Sequence, residues 1–121
     1  MAQLIDLQTF TDVRGNLTVI EKCIPFPIKR IFYIYGVDDS IRGGHRHHTT
    51  RQAAVCLVGA CTIWNHDGIA AQEFVLDAPN KCLLLEPKDW HKMYHFTPDA
   101  ILMVLASEYF DPDDYIYAPY S

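Results

Sequence analysis

Short apolar runs of four to seven residues, each fenced by Gly, Pro, Asn or Asp, recur along the whole chain. A helix that packs on a core needs about ten or more residues with a 3.6-residue apolar period, and no segment carries one. The runs therefore read as strands. They are Leu17–Ile20 after the turn Arg14-Gly15-Asn16, then Arg30–Tyr35, Ala53–Val58, Cys61–Trp64, Ala71–Leu76, Lys81–Glu86 and Ala100–Ala106. β-Branched and aromatic residues, which suit a pleated half-buried surface, are common in them. Arg30–Tyr35 alternates, with Ile31, Tyr33 and Tyr35 on one side and Phe32 and Ile34 on the other. Gly59-Ala60 predicts a tight hairpin between its flanking runs, and Asn65-His66-Asp67-Gly68 predicts a second turn, with His66 as a solvated turn residue. The start of the chain and the acidic stretch Asp111–Tyr115 are the only helix candidates. Many short strands at regular spacing make an all-β sandwich or barrel.

With 121 residues and no repeat or linker, the chain reads as one domain, 1–121. A chain this short leaves much surface unburied, which dimerisation relieves. The aromatic tail Tyr115-Ile-Tyr-Ala-Pro-Tyr-Ser is expected to pack on this subunit or its partner. The net charge of −5 speaks against a broad nucleic-acid-binding face but leaves room for a local basic pocket. Cys23, Cys56, Cys61 and Cys82 form no Cys-x-x-Cys pair and read as reduced thiols. The N-terminus lacks a basic start, and no apolar run approaches the roughly 20 residues of a membrane helix. The expectation is a cytoplasmic protein that partners neither nucleic acid nor membrane.

The most informative segment is Ile41-Arg-Gly-Gly-His-Arg-His-His-Thr-Thr-Arg-Gln52. On a strand, His45 and His47 project to one face while Arg46 and His48 project to the other. Gly43 and Gly44 let the backbone bend just before the pair. Three readings compete. These are solvated or satisfied histidines; or His45, His47 and His91 hold a transition metal; or the pair performs metal-free acid–base chemistry, for which imidazole has a suitable intrinsic pKa.

A His-x-His pair leaving a Gly-rich turn in an all-β chain of this length resembles the cupins. Metal-binding cupins carry a Glu four residues after the second His. Here that position is Arg51, a cation where an anionic ligand belongs. The resemblance is closer to the cupin-type sugar 3,4-ketoisomerases that act on dTDP-4-keto-6-deoxyglucose. It is carried by Asp12-Val-Arg-Gly-Asn-Leu17, by Ile24-Pro-Phe-Pro-Ile-Lys-Arg30 running into Phe32-Tyr-Ile, and by Arg42-Gly-Gly-His-Arg-His47. Pro87-Lys-Asp-Trp-His-Lys-Met93 and Met103-Val-Leu-Ala-Ser-Glu-Tyr-Phe-Asp111 with Asp114-Tyr-Ile116 complete it.

That resemblance implies a cupin jelly roll, an RmlC-like β-barrel, paired as a strand-exchanged homodimer. It implies an isomerase of deoxyamino-sugar biosynthesis that needs no cofactor and no metal, with a dTDP-linked 4-keto-6-deoxy sugar as its partner molecule. It places the catalytic pair at His45 and His47. A metal-dependent small cupin, such as a dioxygenase, and a non-catalytic sugar-nucleotide binding module are the alternatives. The remaining candidates are substrate contacts. Arg14, Arg42 and Arg51 offer guanidinium forks for a diphosphate or sugar. Arg51 falls beside the cavity, where it would lower nearby imidazole pKa values, if the strand runs on unbroken. Tyr33 and Tyr35 are either sheet core or a sugar contact. Trp90 and His91 sit in a turn before a strand, with His91 aimed at the histidine pair. Tyr94 is a candidate for tuning which face of carbon 4 is reprotonated.

Overall fold

A computed structural model describes residues 2–121, and among them twelve strands carry the fold. In chain order these are β1 (Gln3–Asp6), β2 (Gln8–Asp12), β3 (Gly15–Val19), β4 (Arg30–Tyr35), β5 (Arg42–His47) and β6 (Gln52–Val58). Then come β7 (Cys61–His66), β8 (Ala71–Leu76), β9 (Lys81–Leu85), β10 (Trp90–Tyr94), β11 (Ile101–Ala106) and β12 (Tyr115–Ile116). Two five-stranded sheets form, ordered β1-β9-β6-β11-β4 and β12-β5-β10-β7-β8, while β2 and β3 make a separate hairpin. Every pairing is antiparallel.

The main core joins the two sheets. Ala54, Cys56, Leu83, Leu85, Leu102 and Val104 of the first sheet belong to one buried cluster with Cys61, Ile63, Leu76 and Met93 of the second. A second cluster lies around Ala53, Val55, Cys82 and Leu105, with Leu7, Ile20, Ile24 and Phe26 packed on it. The first sheet is therefore covered on both faces, which is why Ala53–Val58 reads as a continuous apolar run rather than an alternating one. The cover between β3 and β4 is not a strand because Pro25 and Pro27 lack the N–H that a ladder needs.

Three expectations change. Gly59-Ala60 is a corner and not a hairpin: β6 belongs to the first sheet and β7 to the second. Gly59 turns the chain with φ 68°, and a Cβ there would lie 2.2 Å from the Thr97 hydroxyl. Thr97 grips the corner, accepting from the Ala60 N–H at 3.0 Å and donating its own N–H to the Ala60 carbonyl at 2.9 Å. The chain's start is strand, not helix, because β1 pairs with β9 along the sheet edge. The acidic stretch gives only a 3-10 turn, Pro112–Asp114, capped by Asp111. All four cysteines are free thiols. Among the described residues no helix is long and apolar enough to cross a membrane.

Candidate active site

β5 and β10 pair with His45 opposite His91, and the ladder then slips: Gly43 faces Lys92 and Arg42 faces Met93. Gly44 is the extra residue of this bulge. Gly43 and Gly44 sit at φ 82° and 85°, where side chains are strained, and a Cβ on Gly43 would press the His91 carbonyl at 3.1 Å. The bulge reverses strand parity, so Arg42 shares a cavity with His45 although three positions separate them.

A cavity of about 310 Å³ lies between the sheets. Its wall includes His45, His91, Arg42, Arg30, Gln52 and Tyr115, with apolar surface from Phe32, Ile34, Ile63, Leu85, Met93 and Val104, and Tyr33. It holds two guanidiniums and no carboxylate, which favours an anionic guest. His47 is only 4% exposed and is not part of the wall. It packs behind His45 at 5.1 Å between ring centroids, and Tyr115 makes edge contact with both rings at 4.7 and 4.8 Å. His91 lies 5.0 Å from His45 and 6.1 Å from His47.

Hydrogen bonds set part of this arrangement. His91 Nδ1–H donates to the Asp89 carbonyl at 3.1 Å; a carbonyl only accepts, so the bond fixes this tautomer and leaves Nε2 as the lone-pair nitrogen. His45 Nδ1 is buried with no hydrogen-bond partner. Asp114 accepts from the Thr49 N–H and hydroxyl, both at 2.8 Å, and from the Thr50 hydroxyl. Burial works against its charge, but these bonds outweigh it and hold its carboxyl below the ordinary value. The same residue delivers Tyr115 to the edge of β5, where it pairs with His47.

All three imidazoles are pushed down from 6.5 to about 4. Burial is the main cause in each. His91 lowers His45 further and His45 lowers His47, because protonating either would set a charge beside its neighbour. At neutral pH the cluster is a set of neutral bases. Among the described residues no group of three His, Cys, Asp or Glu side chains is arranged to hold a metal ion.

Several expected contacts lie elsewhere. Arg51 is outside the cavity because β5 ends at His47 and Asp114 ties Thr49 and Thr50 into a break. Its guanidinium donates to both Glu86 oxygens at 3.1 Å and to the Pro25 carbonyl at 2.8 Å. Burial and neighbouring imidazoles, not Arg51, depress the histidines. Trp90 and His91 lie on a strand and not in a turn, so they face opposite sides. Trp90 points outward and donates to the Tyr117 carbonyl at 3.0 Å. Tyr94 shares its face and hydrogen-bonds Glu73. Arg14 sits at the β2–β3 hairpin tip, 87% exposed and ion-paired with Asp12 at 2.6 Å. Tyr33 and Tyr35 are exposed rather than core, stacked at 5.9 Å, and only Tyr33 reaches the cavity wall. His66 ends β7 and packs on Tyr120 instead of lying free in a turn.

Arg30, Gln52 and Tyr115 were not singled out from the sequence. Arg30 left a signal: it shares parity with Phe32 and Ile34, a cation on the inward side of an apolar strand. Its guanidinium lies over Phe32 and Phe110 at 4.6 and 5.4 Å.

Residues 1–121 match the family described as FdtA: WxcM-like, C-terminal. The chain belongs to this family. Among its relatives, the TDP-4-oxo-6-deoxy-alpha-D-glucose-3,4-oxoisomerase of Aneurinibacillus thermoaerophilus is 43% identical over 117 residues, covering 94% of this chain and 84% of the relative. A 3,4-ketoisomerase from Helicobacter canadensis is 35% identical with a TM-score of 0.92, over 97% of this chain and 90% of that one. A His-to-Asn variant of the Thermoanaerobacterium thermosaccharolyticum 3,4-ketoisomerase, crystallised with TDP-4-keto-6-deoxyglucose, is 38% identical with a TM-score of 0.93, over 97% and 87%. The expected all-β cupin jelly roll is the architecture of this FdtA-like chain.

Proposed function

We propose that this chain is a TDP-sugar 3,4-ketoisomerase. It takes TDP-4-keto-6-deoxyglucose and moves the ketone from carbon 4 to carbon 3 through an enediol. The observation that carries the reading is a neutral imidazole, His45, on the wall of a cationic cavity, in a chain 43% identical to an enzyme named for this reaction.

The carbon 3 proton is acidified by the adjacent ketone. His45 removes it, and the C–H electron pair forms the carbon 3–carbon 4 double bond of an enediolate. His45 then returns the proton to carbon 4, while His47, packed behind His45 and out of reach of the sugar, supports through that ring the proton exchange between the two oxygens. An imidazole with a pKa of about 4 is unprotonated and ready to accept. As negative charge develops beside it, its pKa rises, so it holds the proton most strongly when the enediolate forms. Arg30 and Arg42 stabilise that anion or the diphosphate, and His91, Tyr33 and Gln52 contact the sugar. No cofactor is required, because the substrate's own ketone supplies the acidity.

The protein acts as a homodimer. β4 is a sheet edge whose outer face exposes Ile31, Tyr33 and Tyr35, and the hairpin exposes Phe10, Val13 and Leu17. A second copy covers both, with N-terminal strands exchanged, and Arg14 meets the diphosphate in the partner's cavity. Sedimentation should give a two-chain mass for the parent and a one-chain mass for Ile31→Glu. A one-chain mass for the parent contradicts the dimer.

The reaction is tested by incubating the protein with TDP-4-keto-6-deoxyglucose and EDTA in deuterated buffer and following proton NMR. A 3-keto product is expected. Turnover that stops with chelator supports a metal-dependent cupin, and binding without turnover supports a sugar-nucleotide binding module; either overturns the proposal.

A further inference from the structure

We infer that Tyr120, on the outer face of the second sheet, is a positioning residue that latches the end of the chain and so holds the Tyr115 ring against His45 and His47. The inference rests on the acid–base role proposed for that pair. Tyr115 reaches them from β12, a strand of only two residues. Asp114 anchors the chain on the near side of this short ladder, so anchors beyond it complete the hold on the ring.

The anchors lie on the far side of the sheet. The Trp90 indole N–H donates to the Tyr117 carbonyl at 3.0 Å, and the Tyr120 hydroxyl donates to the Lys88 carbonyl at 2.7 Å. The Arg46 guanidinium sits over the Tyr120 ring at 4.7 Å, and His66 packs on that ring at 5.4 Å. Gly68 leaves the room: a Cβ there would come within 3.4 Å of the Tyr120 ring.

These contacts are not scattered. Arg46 lies between His45 and His47 in β5, and Trp90 precedes His91 in β10. Strand neighbours face opposite sides, so the tail grips from outside the same strands that point their imidazoles inward. Tyr120 therefore fixes Tyr115 relative to the strands that carry the histidines, without touching the cavity.

The test uses the full chain with Tyr120→Ala, Tyr120→Leu and Tyr120→Phe. One readout is the imidazole ring-proton NMR signals of His45 and His47, which feel the ring current of Tyr115 whether or not substrate is present. The other is kcat and KM with TDP-4-keto-6-deoxyglucose. Tyr120→Ala should shift both imidazole signals and lower kcat about tenfold to a hundredfold, as displaced catalytic geometry does, with KM changed less than about threefold. Tyr120→Phe keeps the π face toward Arg46 and His66 and should restore most of both. Tyr120→Leu keeps apolar bulk over Gly68, so it folds and repeats the Ala result. Shifted signals together with no isomerisation by the parent protein support the latch and overturn only the proposed reaction. Parental imidazole signals and kcat in both Tyr120→Ala and Tyr120→Leu overturn the latch.

Discussion

His45→Asn and His47→Asn are each expected to lower turnover by at least about a hundredfold, the lower range for loss of a general acid–base group. Asn keeps a hydrogen-bonding head of similar reach but has no lone pair that accepts a proton near neutral pH. For His45, which forms part of the cavity wall, the loss would be of the group proposed to take the carbon-bound proton. For His47, which packs behind His45 and against Tyr115, the loss is of proton exchange beyond the first ring. Thermal unfolding of the same variants separates chemistry from folding. At neutral pH Asn replaces one neutral polar side chain with a smaller one and gives up ring contacts, so the variants should stay folded with an unfolding temperature lowered by about a few degrees. Near-parental turnover in both variants contradicts the assignment.

The second large effect is acid lability. The folded imidazoles of His45, His47 and His91 titrate at about 4, while in the unfolded chain they titrate near 6.5. Above pH 6.5 neither state binds these protons, and the rings leave stability independent of pH. Between 6.5 and 4 the unfolded chain takes up protons that the folded chain refuses, so stability falls as pH falls through that window. Fully enclosed His91 alone costs about 1.4 kcal/mol per pH unit there, and the two rings nearer solvent add less each. Carboxylates such as Asp114, held low by its threonine bonds, lose their contribution only further down. Urea unfolding at pH 7 and at about pH 4.5 should differ by a few kcal/mol, and His91→Gln should flatten that dependence. Equal stability at the two values, or an unchanged slope in the variant, contradicts the burial argument.

Parity along single strands was legible in the sequence, and it sorted side chains onto the two faces of a strand. Phe32 and Ile34 lie on one side of β4 and Ile31, Tyr33 and Tyr35 on the other, as the alternation required, though the alternation did not say which side turns inward, and His45 and His47 share a side of β5. What was not legible depends on partners distant in the chain. Arg51 would continue the parity of His47 if the strand ran on, but Asp114, over sixty residues later, breaks it through Thr49 and Thr50. Gly59-Ala60 has hairpin chemistry, yet nothing local says that its two strands join different sheets. The bulge at Gly44 reverses the parity of Arg42, and it shows only in the register against β10. Polar β1 and β2 lack an apolar pattern because one is an edge strand and the other lies in an exposed hairpin. Arg30 is different: its parity with Phe32 was in plain view, and a cation on an inward face is the kind of mismatch that marks a ligand cavity.

The most direct measurement uses a substrate deuterated at carbon 3, supplied to the parent, His45→Asn and the His45→Asn/His47→Asn double variant in ordinary water with chelator present. Loss of the label to solvent, or its transfer to carbon 4, should proceed with the parent and be abolished in both variants while TDP binding persists. Label that leaves carbon 3 at the parental rate in the double variant would show that some other group takes the proton.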